Sequence, residues 1–267
     1  MQFAFMTFST PELSLADVLD VTKKYGYDGI EPRMDAKHAH GIEAEASGEQ
    51  RDAIRKQAEQ AGVPMVCLAT SLRYSNPETN AEMVEDTHPR IDLAGDLGIP
   101  AMRVFGGTIP EGVSREQAAD LVISGLSAVA DHAAERGVTL CMETHDSWCD
   151  PAEVAKVLTR VDKPSIRVNW DIMHPVNNKF ATIDESYDTL KPWIRHLHIH
   201  DGATTDGKFG LVPIGEGIVD HRRALERLMA DGYDGYISGE WISWEPHDVH
   251  LPRELATLRR YEAELAG

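Results

Sequence analysis

The sequence predicts an α/β protein, and more narrowly a single-domain (β/α)8 barrel over residues 1–267. Short strand-like apolar segments alternate eight times with longer segments that have the periodicity of amphipathic helices. A chain of 267 residues is close to the roughly 250 that such a barrel usually needs. An open doubly wound sheet is the alternative, but no G-x-G-x-x-G loop follows the first strand.

The eight predicted strands are short and mostly apolar, as expected for a buried parallel sheet. Pro64 and Pro100 mark the starts of the third and fourth strands. Phe105-Gly106-Gly107 is expected to form a tight exit from the fourth. The predicted strands cover residues 2–8, 29–33, 64–70, 101–107, 139–143, 166–171, 194–201 and 235–241.

The predicted helices have recognisable start and stop signals. Ser114, with Glu116 in the capping-box region, is expected to start the fourth helix, and Asp150-Pro151 the fifth. Glycine ends each of the first four helices, since it adopts the left-handed C-terminal conformation at low cost; these residues are Gly26, Gly62, Gly98 and Gly137. The predicted helices cover residues 15–25, 48–61, 80–97, 114–137, from 150 onward, 183–190, 220–230 and 253–265.

Composition places the chain among ordinary globular proteins. It is 42% hydrophobic, with no apolar run near the ~20 residues that a membrane helix needs. The N-terminus, MQFAFMTFST, lacks the basic flank and long apolar region of a signal peptide, so we expect a cytoplasmic protein. Cys67, Cys141 and Cys149 are an odd number without C-x-x-C spacing, which favours reduced residues over disulfides.

The charge balance argues against a nucleic-acid partner. Twenty-six basic and 44 acidic side chains give a formal charge of −18, which repels polyphosphate over the whole surface. The same excess attracts divalent cations, although most of these acids are expected on solvated helix faces. The charge alone therefore does not establish a metal site.

Four stretches at or near the ends of predicted strands carry the candidate chemistry: MET, NWDIMH, RHLHIHD and SGEW. They contain Glu143, Asp171, His198 and Glu240, which are separated by 28, 27 and 42 residues. In a barrel the carboxyl ends of all strands form one active-site face, so this pattern suggests one metal held by four consecutive strands. Three carboxylates and one imidazole suit Mn²⁺, Mg²⁺, Co²⁺ or Zn²⁺, and the lack of cysteine weighs against a structural zinc site.

These motifs also resemble a known family. The chain looks like the xylose isomerase-like TIM barrels, which include sugar phosphate isomerases and epimerases, inosose dehydratases and endonuclease IV. The resemblance extends over essentially the whole chain, and it is specific to the superfamily but weak on substrate. It is carried by the runs RVFGGTIPEG, METHDSW, NWDIMHP, IRHLHIHDG, PIGEGIVD and GYDGYISGEW.

The resemblance implies a ligand set and a class of reaction. It assigns one divalent metal, with Mn²⁺ favoured, to Glu143, Asp171, His198 and Glu240, and it makes the two glutamates the acid-base catalysts. It implies a small carbohydrate or polyol as substrate, and homo-oligomers are common in the family.

The histidines near these motifs have more than one possible role. The resemblance implies that His174, from the D-x-x-H pattern, contacts the substrate. His200 stands where the family commonly has lysine in H-x-H-x-K-D, which leaves an ambiguity between His198 and His200 as the ligand. His198 is favoured because it lies three residues before Asp201.

Further substrate contacts are predicted from position alone. His145 shares strand parity with Glu143. Arg103, in the fourth strand, is expected either to bind a substrate hydroxyl or carboxylate or to pair with Glu31 or another acid. Lys208, together with Glu216, is expected to contact substrate if the glycine-rich loop at 201–217 closes over the site.

Three function classes remain open at this point. A metal-dependent isomerase or epimerase would remove a proton next to a carbonyl and form an enediolate. A lyase that dehydrates a keto-sugar, inosose or related hydroxy-acid would use the same site to expel a β-hydroxyl. An endonuclease-IV-like phosphodiesterase is less favoured, because neither MVCLATS nor DGKFGLVPI contains the histidines that it needs. A non-catalytic barrel is disfavoured because all four predicted ligands are present.

Overall fold

The computed structural model describes residues 1–267, and its main sheet contains eight parallel strands. The order around the sheet is β2-β1-β10-β7-β6-β5-β4-β3, and β8 and β9 form a separate antiparallel hairpin. The strands are β1 (Gln2–Met6), β2 (Gly29–Glu31), β3 (Leu68–Arg73), β4 (Ala101–Phe105), β5 (Thr139–Glu143), β6 (Ile166–Asp171), β7 (Ile194–Ile199), β8 (Asp201–Thr205), β9 (Lys208–Val212) and β10 (Tyr236–Gly239).

The sheet closes on itself between β2 and β3. Isolated parallel bridges join Ile30 to Met65 and Arg33 to Ala69. Backbone hydrogen bonds continue across this seam, with the Ile30 amide donating to the Pro64 carbonyl at 3.0 Å. A closed parallel sheet with helices between its strands is the predicted (β/α)8 TIM barrel, and the fold class is confirmed.

The helices surround the barrel and bury one face of each against it. None of them is both long and apolar enough to cross a bilayer. They are α1 (Leu15–Tyr25), α2 (Gly48–Ala61), α3 (Asn80–Leu97), α4 (Arg115–Glu135), α5 (Pro151–Val161), α6 (Met173–Asn177), α7 (Ile183–Leu190), α8 (His221–Ala230) and α9 (His247–Ala266).

Two packed regions make up the core. A cluster of 56 buried residues fills the space between strands and helices. A small separate cluster inside the barrel contains Ala4, Val66, Cys67, Ala101 and Cys141. Small side chains at this level leave the rest of the interior to polar groups. All three cysteines are buried and unpaired, as the sequence predicted.

The helix signals explain most boundaries. Gly26, Gly62 and Gly98 each have a positive φ at the helix end and donate back to the last turn. Ser114 caps α4 through a complete capping box, but its partner is Gln117. The expectation for Glu116 was therefore wrong by one position, because the reciprocal bond requires the third helical residue.

Several local predictions differ from the structure. The first strand ends at Met6, and a 3-10 turn over Thr7–Ser9 replaces its predicted end. The third strand covers Leu68–Arg73, whereas residues 64–70 were predicted. The last helix begins at His247, six residues before the predicted start at residue 253, and continues through Pro252. The predicted loop at 201–217 contains the β8–β9 hairpin, whose two-residue turn has Asp206 and Gly207 at positive φ.

The exit from β4 shows why two glycines are needed there. A Cβ added to Gly106 would lie 2.3 Å from Cδ1 of Trp148, which no relaxed packing allows. Gly107 has φ +90° and would place its Cβ 2.9 Å from that of Arg73. The predicted tight turn is confirmed, and it lets Trp148 pack beneath the barrel mouth.

A buried histidine ties the end of β1 to the loop after β2. His40 accepts a hydrogen bond from the Ile42 amide at Nδ1, and its Nε2 lies 3.1 Å from Oγ1 of Thr7. Thr7 Oγ1 also accepts from the Arg33 amide at 2.8 Å. Burial, and secondarily His38, lower the pKa of His40 to about 4. The neutral ring is therefore the form that the folded protein holds.

The low pKa of His40 predicts that the stability of the protein depends on pH. Between pH 4 and 6.5 the unfolded chain binds a proton at His40 that the folded protein does not, so the free energy of unfolding should rise with pH. The full effect is up to about 1.4 kcal/mol per pH unit. Chemical denaturation of wild type and His40→Gln from pH 4 to 8 tests this. The variant should show a shallower rise over that window, and parallel curves would contradict the assignment.

Candidate metal centre

Four side chains from consecutive strands of the barrel meet at its carboxyl end. Glu143 and Asp171 are the last residues of β5 and β6, His198 is next to last in β7, and Glu240 directly follows β10. One ligand atom from each lies within 4.8 Å of every other, and all four residues are buried. The register pairs Asp171 directly with His198 across β6 and β7. The structure thus brings together the four residues predicted as ligands.

His198 is the centre of this group. Its Nδ1 lies 2.8 Å from Oε1 of Glu143 and 3.2 Å from Oε2 of Glu240. Asn169, which sequence reasoning did not single out, places its side-chain amide 3.0 Å from the same nitrogen. The two glutamates therefore converge on one imidazole nitrogen although they come from strands on either side of β6 and β7.

The donor set fits a divalent metal ion. Oε2 of Glu143 and Oδ2 of Asp171 are buried and make no hydrogen bond, although Arg103 Nε lies 3.2 Å from the first and His200 Nε2 lies 3.0 Å from the second. A buried carboxylate oxygen without a hydrogen bond is costly, and a cation between the four side chains would lower that cost. Three carboxylates with one imidazole are ligands for hard or borderline ions such as Mn²⁺, Mg²⁺ or Zn²⁺.

A carboxylate beneath the group holds the other side of His198. Both oxygens of Glu31, at the end of β2, approach His198 Nε2, at 3.0 and 3.2 Å. Oε2 of Glu31 also lies 2.8 Å from Nε2 of His196. Such a carboxylate fixes the tautomer and orientation of a metal-binding histidine. The sequence analysis named Glu31 only as a partner for Arg103. Side chains alternate along a strand, and the position of Glu31 on the inward-facing side of the second strand could have identified it.

The charges shift each other's pKa values. Burial would raise the pKa of Glu240, but His198 and Arg103 outweigh it and lower that pKa to about 2. Burial opposes ionisation of Asp171 as well, yet His200 and His174 hold its pKa below the usual value. Three carboxylates raise the pKa of His198 well above its normal value despite burial. Carboxylates beside both ring nitrogens therefore favour the protonated form of His198.

Arg103 pairs with the metal-site acids and not with Glu31. Its Nε lies 3.2 Å from Oε2 of Glu143, and its Nη2 lies 4.0 Å from Oε1 of Glu240. Nη1 donates to the Thr70 carbonyl at 2.7 Å, and the guanidinium stacks 4.0 Å from the centre of the Phe105 ring. Of the alternatives left open for Arg103, the structure shows pairing with an acid.

The neighbouring histidines form a second group that shares Asp171. Nε2 of His200 lies 3.0 Å from Oδ2 of Asp171, and Nε2 of His174 lies 3.7 Å from the same oxygen. The His145 ring packs 4.4 Å from that of His174, edge to face. His200 is thus adjacent to the main group but outside it, and His174 and His145 line one wall beside it.

The remaining predicted contact lies away from these residues. Lys208 is exposed at the tip of the β8–β9 hairpin and forms no ion pair, and Glu216 is exposed in the following loop. Asp201 organises that loop by accepting backbone hydrogen bonds of 2.9 to 3.2 Å, from the amides of Gly202, Gly215, Gly217 and Val219. In this structure the hairpin does not bring Lys208 to the metal-site group.

Comparison with known proteins identifies relatives of this arrangement. Residues 19–261 match the family described as xylose isomerase-like TIM barrel. The chain is 28% identical over 232 residues to the L-ribulose-5-phosphate 3-epimerase UlaE of Salmonella paratyphi B. That match covers 84% of this chain and 81% of the relative.

Solved structures show the same fold at lower identity. The probable 3-DHS dehydratase AsbF from Bacillus anthracis superposes with a TM-score of 0.81 at 20% identity, covering 97% of this chain and 99% of the other. A xylose isomerase-like TIM barrel protein from Mycobacterium smegmatis, solved in complex with magnesium, gives 0.77 at 18% identity, with 99% and 97% covered.

The protonation of His198 predicts coupling between metal and proton. Coordination through Nδ1 requires a neutral imidazole, so Mn²⁺ binding at pH 7 should release a proton and the affinity should rise with pH. Isothermal titration calorimetry in buffers of different ionisation enthalpy measures this release. A binding enthalpy that does not depend on the buffer would contradict the assignment of His198 as imidazolium.

The position of Glu31 predicts an indirect effect on metal affinity. Glu31→Gln keeps the shape but loses the charge that orients His198, so the Kd for Mn²⁺ should rise about tenfold to hundredfold. Glu49→Gln, on the surface of α2, is the matched control and should leave it unchanged. Equal Kd values for Glu31→Gln and wild type, with unaltered melting temperature, would show that Glu31 does not support the site.

Proposed function

The chain belongs to the xylose isomerase-like TIM barrel family, and from this premise we propose that it is a divalent-metal-dependent isomerase or epimerase of a small sugar or polyol. The observation that carries the proposal is the buried group of Glu143, Asp171, His198 and Glu240 at the carboxyl end of the barrel. The 3-epimerase activity named for the UlaE relative, which is 28% identical, supports the sugar substrate.

In this proposal the four residues hold one metal ion, with Mn²⁺ as the preferred candidate. When bound, the ion supplies Lewis-acid polarisation of the substrate carbonyl. Asp171 is a fixed ligand, because its Oδ1 accepts from the amides of Met173 and His174 at 2.9 and 3.2 Å. Glu31 keeps the His198 ring aligned.

Glu143 and Glu240 perform the proton transfers. One carboxylate takes the proton from the carbon next to the carbonyl, which leaves the electron pair of the broken C–H bond in an enediolate. If the second carboxylate returns a proton to the same carbon from the opposite face, the product is an epimer. If one carboxylate delivers it to the adjacent carbon, the product is the isomeric aldose or ketose.

Burial of Glu240 offsets part of its low basicity. The cationic neighbours that hold the pKa of Glu240 near 2 make it a weak base in water. The residue is only 5% exposed, and burial disfavours the charged form of a carboxylate. Substrate bound over this side chain displaces the remaining water, and a drier site strengthens the carboxylate as a base.

Substrate contacts are proposed for the residues that line the group. His174 and His145 form one wall, with exposed fractions of 19% and 33% at their side chains. Burial alone would lower the pKa of His145, but Asp146 and Glu143 raise it to about 9, so it can donate to a substrate hydroxyl. Arg103 restrains both glutamates, and Lys208 can contribute only if the hairpin bends toward the site.

The deciding experiment follows hydrogen exchange at carbon. Free and phosphorylated ketoses, aldoses, inososes and keto-glycosides are incubated with protein and Mn²⁺ in D2O, and the products are read by NMR. Deuterium at one carbon with inverted configuration supports epimerisation, and exchange with a shifted carbonyl supports isomerisation. Loss of water would instead establish the lyase.

Variants then test the residues. Glu240→Gln should lower kcat on the substrate so identified by about 10² to 10⁴, because it removes one acid-base group. Glu264→Gln, exposed on α9, is the matched control and should retain full activity. Activity that survives both chelation and Glu240→Gln would refute the metal-dependent mechanism.

A further inference from the structure

A second buried arginine near the barrel mouth forms no ion pair. Arg33, two residues beyond Glu31, is only 9% exposed. No carboxylate lies within 4.0 Å of its guanidinium, and its Nε makes no hydrogen bond. The adjacent acid, Asp35, is instead paired with Arg90 at 2.6 Å. A buried cation without an acid is unfavourable, and proteins normally keep one only where something else supplies the negative charge.

Neutral groups hold Arg33 in one position. Its Nη2 donates to Oγ of Ser71 at 2.5 Å and its Nη1 to the Ala69 carbonyl at 3.2 Å, with a further contact to the Met34 carbonyl. The guanidinium also stacks 5.4 Å from the centre of the Phe8 ring. These contacts fix the direction of the side chain, but none of them is with a carboxylate, and Asp35, Glu240 and Glu43 act on its charge only from a distance. Burial, and then Arg103, lower the pKa of Arg33 to about 10, so it stays cationic at neutral pH.

The position of Arg33 relates it to the metal-site group. Strand parity places it on the same face as Glu31, one layer nearer the mouth. Its bridge partner Ala69 is paired in turn with Arg103. Two residues after Ser71, Arg73 extends across the end of β4, with its guanidinium 5.7 Å from the centre of the Phe105 ring.

The three arginines thus occupy one side of the mouth, just beyond β2 and on β3 and β4. The four predicted ligands occupy the other side, on β5, β6, β7 and the end of β10. Arg103 is neutralised by Glu143 and Glu240. Arg33 forms no such pair, and neither does the exposed Arg73.

We propose that Arg33, with Ser71 and Arg73, forms a subsite for an oxyanionic group of the substrate, either a carboxylate or a phosphate. This inference rests on the proposed function and narrows its substrate class to anionic sugars or sugar acids. A guanidinium presents parallel N–H donors that match the oxygens of both groups. The local cations matter because the formal charge of −18 repels anions at a distance.

Binding of simple anions tests the subsite directly. Inorganic phosphate and acetate are titrated calorimetrically into the Mn²⁺-loaded protein and into Arg33→Met, with Mn²⁺ stoichiometry measured on the same samples. Phosphate or acetate affinity should fall at least tenfold in Arg33→Met. Arg260→Met, an exposed arginine on α9, is the matched control and should bind like wild type. Tighter phosphate than acetate would indicate a phosphorylated substrate, and the reverse a sugar acid.

Other results would overturn the proposal. If neither anion binds wild type, or if Arg33→Met binds both as wild type does, the subsite does not exist. If Arg33→Met does not fold, the exposed Arg73→Met decides, because unchanged anion affinity in that variant also overturns the proposal. Failure of wild type to bind Mn²⁺ would sink the proposed function, whereas intact Mn²⁺ binding with unaffected anion affinity would sink only the subsite.

Discussion

The clamping of His198 between carboxylates is the interaction on which the rest of the site depends. Glu31 approaches one ring nitrogen and Glu143 and Glu240 the other. These acids come from β2, β5 and the end of β10, so a single imidazole connects widely separated parts of the barrel. The clamp needs space for polar side chains inside the barrel. The side chains below it, such as Ala4 and Cys67, are small enough to leave that space.

The contacts of His198 also explain how the barrel accommodates several buried carboxylates. Without a metal, the imidazolium of His198 and the guanidinium of Arg103 supply the positive charge. A metal ion would replace the proton on His198 without changing the number of carboxylates that must be neutralised. Under the proposed function a proton and a metal would therefore compete for one position, and Arg103 would remain as a counter-charge in both states.

The sequence predicted the parts of the site whose pattern is local along the chain, and it missed contacts between distant residues. The four predicted ligands lie at or near strand ends, and the strand pattern is local, so their spacing together with the family resemblance was enough to group them. The partnership of Glu31 with His196 and His198 joins residues 165 and 167 positions apart, and no spacing rule connects β2 with β7. The predicted start of α9, at residue 253, was wrong for a related reason: the helix begins at His247 and continues through Pro252, with Leu251 and Leu255 buried on either side of that proline.

The asymmetry of the mouth bears on the outcome of the reaction. Glu143 and Glu240 reach the same nitrogen from strands that lie on opposite sides of β6 and β7, so a substrate between them presents a different face to each. Which carbon lies there depends on what anchors the rest of the molecule. An anionic group held by Arg33 would fix one end of the substrate on the β2–β3 side. The distance from that group to the glutamates would then determine which carbon of the substrate reacts. Epimerisation returns the proton to the same carbon from the opposite face, whereas isomerisation delivers it to the adjacent carbon. The anchor would set which carbon lies between the two glutamates, so anchor and glutamates together would distinguish the two outcomes.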